Sequence, residues 1–466
     1  MGKGHQDSGY DVVIIGAGPA GIFAALELAE IAPGMKVLML EKGPGVDQRN
    51  CPMKARQAGC IGCSPCSVLS GWGGAGAFSD GKLTLTTEFG GFLDQYLGRE
   101  KVADLIQHVD SIYLTFGAPE TIYGTEDDRI RQLYRDAASA GLSLVPARIR
   151  HLGTENCLEI VRAMWNHLKD RVEIRTQTPV EHFLVSGQRV MGVVTADGEE
   201  IRAANVICAP GREGAEWFSR EARRLNLELA SNPVDIGVRV EVPAVVMEHL
   251  TDVIYEAKLI YYSKAFDDQV RSFCMCPRGE VVMENNAGLL TVNGHSFHDQ
   301  LTENTNFALL VSKTFTEPFK EPIAYGKYIA SLANMLGGGV LVQRLGDLRA
   351  GRRSTVKRLG KGMVKPTLEE ATPGDLSLVL PYRHLVNIME MLEAMDKIAV
   401  GVNSRHTLLY GVEVKFYSSR LHLDYSLQTQ VDNLYAAGDG AGVTRGLAQA
   451  SASGIHVARE IAGRKN

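Results

Sequence analysis

A glycine-rich turn between an apolar strand and a helix is the feature that most constrains the fold of this chain. An unbroken apolar run, Val12–Ile15, is typical of a parallel strand covered on both faces. Gly16 permits a tight turn, Gly18 lets the backbone approach a phosphate, and Gly21 lets the following helix pack closely on the strand. The pattern predicts a dinucleotide-binding βαβ unit; the alternative is an ordinary βαβ turn with incidental glycines.

An acidic residue stands where a ribose-binding acid is expected. A second apolar strand at 36–41 ends in Glu41, twenty residues after Gly21. A carboxylate there accepts hydrogen bonds from ribose hydroxyls and repels a 2′-phosphate. The site therefore suits FAD or NAD rather than NADP.

A second glycine-rich segment lies near the end of the chain. An apolar strand leads to Gly438-Asp439-Gly440, and a helix is predicted to begin near Gly446. Asp439 could accept a hydrogen bond from a ribityl hydroxyl, or it could cap the helix. The helix start could direct N–H groups and its dipole at the edge of a flavin ring. This pairing of motifs favours FAD.

The loop at 71–82 is dense in glycine, which indicates that backbone comes very close to another group. Its predicted neighbour is the cofactor, with Ser79 on a phosphate and Asp80 and Lys82 toward the substrate. Trp72 within the loop indicates burial. The alternative is a turn-rich surface loop.

A cysteine cluster precedes this loop. Cys60, Cys63 and Cys66 have C-x2-C-x2-C spacing, and Cys51 lies upstream before a proline. The four could hold a [4Fe–4S] cluster or zinc, although an upstream Cys-Pro is not the ferredoxin order. A redox-active dithiol and a loop without a ligand remain open. The Cys274-Met-Cys276 pair is interpreted as core or substrate-side.

Composition excludes several classes of protein. The 466 residues are 45% hydrophobic and 22% charged, with a formal net charge of −5, which argues against general nucleic-acid binding. No apolar stretch is long enough for a membrane helix, and the polar first residues do not resemble a signal peptide. A cytoplasmic location is expected.

The predicted fold class is α/β, a Rossmann-like FAD-binding domain with a β-meander, interrupted by a mixed α+β substrate domain. The first part of the FAD-binding domain is placed at 1–212, with helical and cysteine-rich insertions at about 45–150. The substrate domain is placed at 213–405 and the C-terminal part of the FAD-binding domain at 406–466. Within the substrate domain, 305–315 is predicted to be a helix. A second GxGxxG motif followed by an acid is missing from the sequence, which argues against a separate NAD(P)H domain.

Three further groups of polar or charged residues each allow two interpretations. Arg445, just before the last helix, is the leading substrate-side candidate, either stabilising reduced flavin or binding a carboxylate; otherwise it is a solvated loop residue. Polar residues alternate along 234–241 and could face the flavin, although the solvent side of the sheet is favoured. The basic run at 349–365 could bind an anion, but is more often simply solvated.

The chain resembles the family of uncharacterised FAD-dependent dehydrogenases, within the two-dinucleotide-binding-domain flavoprotein group. The matching segments are 15–21, 73–82, 116–119, 234–241, 275–277, 292–294 and 438–446. The resemblance implies FAD, an oxidoreductase and an interrupted flavin domain, without a defined substrate. Residues 176–180 resemble the segment of such flavoproteins whose backbone binds the adenine. The resemblance implies that Val180 makes this contact.

Together these observations predict one set of cofactor-binding residues. The set is Gly16, Gly18, Pro19, Ala20, Gly21, Glu41, Lys42, Gly73, Gly74, Ser79, Val180, Gly211, Gly438, Asp439, Gly446 and Leu447. The candidate catalytic residues are Arg445, Asp80 and Lys82.

The expected function is hydride transfer between flavin and a small organic molecule. A ferredoxin-like carrier or NAD(P)H would be the electron donor, and no nucleic-acid partner is expected. One rival is a geranylgeranyl-reductase-like or monooxygenase-like flavoenzyme. The other is a flavin-binding regulatory or RNA-modification protein without turnover.

Overall fold

The computed structural model describes residues 9–51, 63–79, 81–125, 127–230, 232–286, 288–296, 301–313, 315, 321–415 and 420–464. The chain forms two compact units. Unit 1 comprises Met1–Glu120, Arg150–Ala230 and Ser418–Asn466, and unit 2 comprises Thr121–Ile149 and Ser231–Tyr417.

The strands are β1 (Tyr10–Ile15), β2 (Val37–Leu40), β3 (Lys82–Thr84), β4 (Ser143–Leu144), β5 (Ile149–His151), β6 (Glu173–Arg175), β7 (Val180–Ser186), β8 (Arg189–Thr195), β9 (Glu200–Cys208), β10 (Leu229–Ala230), β11 (Val234–Pro243), β12 (Leu259–Tyr262), β13 (Gln269–Cys276), β14 (Glu280–Asn286), β15 (Leu289–His295), β16 (Asn304–Lys313), β17 (Leu341–Arg344), β18 (Thr372–Pro373), β19 (Leu408–Lys415), β20 (Arg420–Leu421) and β21 (Leu434–Ala436).

The α-helices are α1 (Pro19–Ile31), α2 (Leu93–Leu97), α3 (Arg99–Thr115), α4 (Asp128–Ser139), α5 (Thr154–Leu168), α6 (Ala215–Arg224), α7 (Ala244–Ile254), α8 (Pro322–Gly337), α9 (Leu345–Arg349), α10 (Val356–Leu359), α11 (Tyr382–Met395) and α12 (Leu447–Gly463). Short 3₁₀ turns occupy Val46–Gln48, Gly74–Phe78, Leu376–Leu378 and Asp439–Ala441. Across the described ranges, no helix has the length and apolar character needed to cross a bilayer.

The main sheet of unit 1 is parallel at its centre. Its strands run in the order β6-β2-β1-β9, and β21 also pairs in parallel with β9. In the register, Ile15 pairs with both Leu40 and Cys208, and Ala436 also pairs with Cys208. The carboxyl ends of these strands therefore meet at one edge, where open α/β sheets bind ligands.

A β-meander extends this sheet. Strands β7, β8 and β9 pair antiparallel in sequence, and the two-residue loop at 187–188 joins β7 to β8. Gly187 has φ of +60°, the left-handed conformation that such tight hairpins require. The fold class predicted from the sequence, a Rossmann-like domain with a meander that is interrupted by a mixed α+β domain, is confirmed.

Helices α1 and α12 pack against each other with very little space between their backbones. A Cβ on Gly454 would lie 2.0 Å from the carbonyl oxygen of Ala20. Small residues at 448–454 of α12 are buried, so the two helices approach closely over their N-terminal halves. This packing brings the two glycine-rich motifs of the sequence together in one unit.

The sheet of unit 2 has the order β18-β17-β19-β11-β16-β13-β12-β4. The prediction of a helix at 305–315 is wrong, because residues 304–313 form β16 at the centre of this sheet. The run Phe307–Val311 is buried on both faces. Hydrophobic periodicity cannot distinguish such a strand from a buried helix, and pairing with β11 and β13 decides it.

The units divide the chain after Ala230 and after Tyr417, later than the predicted domain limits at 212 and 405. The pairing of Leu229 with Leu421 in β10 and β20 keeps both segments with unit 1. Strand β19, in contrast, belongs to the sheet of unit 2. These pairings are long-range, so the local sequence carries no sign of them.

Candidate cofactor site

The first glycine turn contains two kinds of glycine. A Cβ on Gly21 would lie 1.9 Å from the carbonyl oxygen of Gly16, so this position serves helix–strand packing. Gly16 itself has φ of +96°, and a Cβ there would meet the carbonyl of Ala209 at 2.2 Å. At Gly18, by contrast, no atom of the described residues lies within 4 Å of where a Cβ would be. The chain thus leaves space at Gly18 that a ligand could take.

The Glu41 carboxylate is buried beside the first glycine turn, where backbone N–H groups surround it. Its Oε2 accepts a hydrogen bond from the backbone of Ala17 at 2.8 Å. Its Oε1 accepts from Gly43 and Gly71 at 2.8 and 2.9 Å, and the residue is 5% exposed. Three of about four carboxylate lone pairs are therefore used by the chain itself. Ribose binding by Glu41 remains a prediction, and it would use the remaining acceptor position on Oε2.

Arg49 is a site residue that the sequence analysis missed. Its guanidinium donates to the carbonyls of Ser67 and Val68 at 2.9 and 2.7 Å. It also donates to those of Trp72 and Gly74 at 2.6 and 2.7 Å. Burial, its largest influence, lowers the pKa of Arg49 to about 10, although Glu41 opposes the shift. A lone arginine outside any motif offers no sequence signal for this role.

The glycine loop lies against the first turn and the last helix. The backbone N–H of Gly73 donates to the carbonyl of Ala17 at 2.7 Å. A Cβ on Gly74 would lie 3.0 Å from the Cα of Gly18, and one on Gly76 would lie 2.9 Å from Leu447. The predicted burial of Trp72 in this loop is confirmed. The loop therefore lies beside the first glycine turn, and its contact with the cofactor stays a prediction.

Three candidate site residues, Ser79, Asp80 and Lys82, lie at the end of this loop. The Ser79 hydroxyl donates to the carbonyl of Gly76 at 2.9 Å and accepts from Gly81 at 3.2 Å, so it closes the 3₁₀ turn. Lys82 begins β3 and is partly buried. Asp80 lies outside the described residues. The roles of Ser79 on a phosphate and of Lys82 toward substrate stay predictions.

A pocket adjoins these elements in unit 1. Three predicted cofactor residues, Pro19, Gly73 and Leu447, line it. Its remaining lining is largely apolar and includes Phe23 and Tyr113. Segments more than 400 residues apart in sequence thus share one concave surface.

The C-terminal motif provides a second helix start. The backbone of Gly438 donates to the hydroxyl of Ser453 at 3.0 Å, which ties the turn to α12. Thr444 donates to Asp439 Oδ1 at 2.7 Å, and Arg212 Nε lies 3.9 Å from Oδ2. Helix α12 begins after Gly446, as predicted. Asp439 keeps acceptor capacity for a ribityl hydroxyl, and that role stays a prediction.

A short loop at 89–92 covers the start of α12, which the sequence analysis did not foresee. The backbone of Phe92 donates to the carbonyl of Val443, and that of Arg445 donates to the carbonyl of Gly90, both at 2.7 Å. Gln449 donates to the carbonyl of Phe89 at 3.2 Å. The Arg445 guanidinium lies 4.5 Å from the centre of the Phe92 ring. Arg445 is therefore a packed, oriented residue, and a contact with substrate remains a prediction.

The other predicted contacts are Lys42, Val180 and Gly211. Lys42 forms an ion pair with Glu213 at 3.2 Å. Val180 begins β7 and is buried. Gly211 follows β9 with φ of +63°, and a Cβ there would meet no described atom within 4 Å. Their direct contact with a cofactor stays a prediction.

The open positions of the site fit a dinucleotide. Gly18, Gly211 and Gly446 each leave the space of a Cβ vacant with respect to the described residues. The starts of α1 and α12 also lack a side-chain cap from that part of the chain. Uncapped helix N-termini present N–H groups and a positive dipole end, which suit a pyrophosphate and an anionic ring. The residues present therefore fit FAD.

The cysteine cluster is only partly described. Cys51, Cys63 and Cys66 are placed, and none of them is in a disulfide. Cys60 lies outside the described residues. The described portion holds no group of three or more metal-ligating side chains. Metal binding at these four cysteines therefore remains a prediction.

The polar strand at 234–241 is buried, so its predicted solvent exposure is wrong. Arg239 and Glu241 are each 0% exposed in the sheet of unit 2. The Arg239 guanidinium donates to Asn306 at 2.8 Å and lies 3.4 Å from Glu413. A Cβ on Gly294 would lie 2.0 Å from Arg239 Nη2. Three segments that carry the resemblance, 234–241, 275–277 and 292–294, thus meet around one buried arginine.

The basic run at 349–365 is partly neutralised within unit 2. Asp347 accepts from Arg344 at 2.9 Å and from Arg352 at 3.0 Å, and Arg349 lies 3.3 Å from Glu393. These ion pairs give the run a structural role. Anion binding by its other members stays a hypothesis.

Comparison with known proteins supports a flavoprotein. Residues 233–416 match a family model described as "FAD-dependent protein, C-terminal domain-like". Residues 10–62 match one described as "Pyridine nucleotide-disulphide oxidoreductase". An uncharacterised protein of Clostridium beijerinckii is 29% identical over 480 residues, covering 96% of this chain and 80% of the relative.

Several solved structures are similar at low identity. A 3-ketosteroid-Δ4-(5α)-dehydrogenase from Rhodococcus jostii RHA1 is 14% identical with a TM-score of 0.45, covering 98% of each chain. L-proline dehydrogenase from P. horikoshii is 12% identical with a TM-score of 0.41, covering 97% of this chain and 93% of the other. Glycine oxidase from Geobacillus kaustophilus is 14% identical with a TM-score of 0.39, covering 98% and 95%. At these TM-scores the likenesses bear on neither substrate nor reaction.

The two family matches agree with the resemblance drawn from the motifs. The chain is an FAD-dependent oxidoreductase, and the two matches lie at residues 10–62 and 233–416.

Proposed function

We propose that the protein transfers a hydride between FAD and a small organic molecule. FAD, when bound, accepts or donates the electron pair at its isoalloxazine ring. The observation that carries the proposal is the convergence of Gly18, the glycine loop and the start of α12 on one edge of the parallel sheet. That edge is where this class of sheet binds its ligands.

The proposed binding residues divide by the part of the cofactor that they would hold. The start of α1, with Gly18 open above it, would bind the pyrophosphate. Glu41 would accept from a ribose hydroxyl while organising the turn, and the backbone near Val180 would hold the adenine. Asp439 would accept from a ribityl hydroxyl, and the N–H groups of Leu447 and its neighbours would stabilise negative charge on the ring.

Arg445, Asp80 and Lys82 are the proposed substrate-side residues. Arg445 is held against Phe92 and by its own backbone hydrogen bond, so its position is defined by packing. A fixed cation at the start of α12 suits either a substrate carboxylate or negative charge on the reduced ring. Asp80 and Lys82 are proposed as further substrate-side groups.

The electron donor and any metal centre are also proposals. We infer that electrons arrive from a ferredoxin-like carrier or NAD(P)H in a cytoplasmic setting. A [4Fe–4S] cluster or zinc at Cys51, Cys60, Cys63 and Cys66 would favour a single-electron carrier. Support for it comes from the spacing of the cysteines and from Arg49, which ties the segment following Cys66 to the glycine loop.

The deciding experiment is a visible absorption spectrum of anaerobically purified protein, with flavin, iron and zinc measured on the same sample. We expect flavin bands and about one FAD per chain. A broad shoulder with about four irons per chain would support the cluster. Flavin without metal would overturn the cluster and leave the hydride proposal intact. A chain that never binds flavin would overturn both.

A further inference from the structure

Two cysteines of unit 2 lie side by side on one strand. Cys274 and Cys276 are in β13, and their sulfur atoms are 4.0 Å apart. Between Phe273 and Cys276 the pairing with β16 advances three residues on one strand and two on the other, which is a β-bulge. The extra residue interrupts the regular alternation of side chains along the strand, and the two sulfur atoms come within 4.0 Å of each other.

The backbone at Cys274 is held in an unusual conformation. Its φ is +48°, in the left-handed region that non-glycine residues seldom adopt. Glu256 accepts from its N–H at 3.0 Å, and Arg239 donates to its carbonyl at 2.6 Å. Strained conformations persist only when their surroundings hold them, and they occur often at functional sites.

A buried arginine adjoins the sulfur of Cys276. Arg239 Nη2 lies 3.3 Å from the sulfur of Cys276. Burial would lower the pKa of Arg239, but Glu413 and both cysteines raise it above its usual range, so the guanidinium stays charged. Lys415 adds a second cation, 3.0 Å from Glu413. A neighbouring cation stabilises a thiolate over the thiol.

The two sulfurs differ in access. Cys276 is buried, whereas Cys274 is partly exposed. An external disulfide could therefore reach Cys274 first, with Cys276 positioned behind it. This division into an accessible and a resolving cysteine is what thiol–disulfide exchange requires.

We propose that Cys274 and Cys276 form a redox-active dithiol that exchanges with a low-molecular-weight disulfide. The site goes beyond the proposed flavin chemistry and takes no electrons from it. Its parts are the bulge that pairs the sulfurs, the adjoining Arg239 and the unequal exposure of the two cysteines.

The reaction proceeds in two exchange steps. The Cys274 thiolate attacks one sulfur of the external disulfide, forms a mixed disulfide and releases the first thiolate. The Cys276 thiolate then attacks the sulfur of Cys274, forms the Cys274–Cys276 bond and releases the second. The protein dithiol loses two electrons and two protons, and the external disulfide gains them as two thiols.

The test uses full-length, FAD-loaded protein equilibrated anaerobically with reduced and oxidised glutathione at a series of ratios. Samples are quenched with acid, alkylated in denaturant and mapped by mass spectrometry. We expect the peptide carrying both cysteines to lose two hydrogens and both alkyl labels under oxidising ratios, and to regain them under reducing ones. Full labelling of both cysteines at every ratio would overturn the proposal.

Two variants and an internal control separate exchange from general oxidation. Cys276→Ser should trap a glutathione adduct on Cys274, whereas Cys274→Ser should leave Cys276 unmodified. Burial raises the pKa of the Cys208 thiol, which should remain reduced and fully labelled after denaturation. A glutathione adduct that persists on Cys274 of the unmodified protein would show that Cys276 does not resolve it, and would also overturn the proposal.

Discussion

At the residue scale, the Glu41 carboxylate joins three separate backbone segments. It accepts from residue 17 of the first turn, from Gly43 after β2 and from Gly71 at the start of the glycine loop. A Cβ on Gly43 would lie 2.4 Å from the backbone nitrogen of Gly71, so the two segments touch around this side chain. Glu41 is therefore an organiser of the site as well as a candidate ribose acceptor.

Glu41→Gln should weaken both folding and cofactor binding. The new amide group would point a donor at backbone N–H groups, and hydrogen bonds to a charged acceptor are worth about 1.5–3 kcal/mol each. We expect the free energy of unfolding to fall by about 2–3 kcal/mol, and FAD to dissociate more readily in a fluorescence titration. The exposed Glu30→Gln is the matched control. An unchanged affinity and stability would contradict the role assigned to Glu41.

A second residue-scale prediction concerns His384 in unit 2. The side chain is 3% exposed, and neither ring nitrogen has a hydrogen-bond partner among the described residues. Burial, reinforced by Lys313, lowers its pKa from 6.5 to about 4. Protonation therefore favours the unfolded chain, and stability should fall as the pH drops from about 6.5 to about 4, by about 3 kcal/mol.

His384→Leu should remove this part of the acid sensitivity. Urea unfolding at pH 7 and pH 4.5 should show a smaller loss of stability for the variant than for the unmodified protein. The exposed His422→Leu is the control and should retain the full loss. Equal acid sensitivity in all three proteins would contradict the prediction.

At the element scale, the starts of helices α1 and α12 determine what the site can bind. Two glycines at the start of α1, Gly18 before it and Gly21 within its first turn, differ in what surrounds them. Gly18 faces open space, whereas Gly21 faces the carbonyl of Gly16. The same substitution at these two positions therefore separates ligand binding from folding.

Gly18→Ala should fold normally and bind FAD poorly. Its φ of −81° suits any residue, and the added methyl meets no described atom, so the stability of the apo protein should not change. The methyl would occupy the approach of the pyrophosphate, and we expect about tenfold weaker binding or more, which is about 1.4 kcal/mol. Thermal melting of apo protein and FAD titration provide the two measurements.

Gly21→Ala is the matched comparison. Its Cβ would lie 1.9 Å from a backbone oxygen, which cannot move as a flexible side chain would. Overpacking of this kind costs about 1–3 kcal/mol, so apo stability should fall together with affinity. If Gly18→Ala destabilised the apo protein as much as Gly21→Ala, the space at Gly18 would not be a ligand position.

At the scale of the whole molecule, the candidate FAD site is built from three stretches of unit 1, which the chain leaves and re-enters. Hydrogen exchange with and without FAD should therefore show protection at 16–22, 71–76 and 438–450. At FAD concentrations of 100 times Kd the bound state gains about 2.7 kcal/mol, enough to slow exchange clearly. Protection confined to the peptides around Arg239 would instead place the cofactor in unit 2.

Features that depend on a few neighbouring residues could be predicted from the sequence, whereas features that depend on distant contacts could not. The turn at 16–21, the segment at 438–446 and the helix beginning at Leu447 follow from glycine positions and apolar runs, which act over a few residues. The apolar run at 305–315 predicts a helix but forms the strand at 304–313, because a short apolar run fits either structure. The role of Arg49 could not be anticipated, because a single arginine has no pattern. The alternation at 234–241 marks a polar face that includes Arg239 but does not reveal that this face is buried.

The sequence by itself determined the fold class, the cofactor and the two motifs that approach it, since glycine spacing and strand hydrophobicity are consequences of local sterics. Only the tertiary structure decided that Glu41 joins three backbone segments, that the strand at 234–241 is buried, and that Cys274 and Cys276 lie beside Arg239. Those outcomes depend on which distant strands pair and which polar groups must find partners once they leave water. Such choices are made by the whole chain rather than by any local stretch of it.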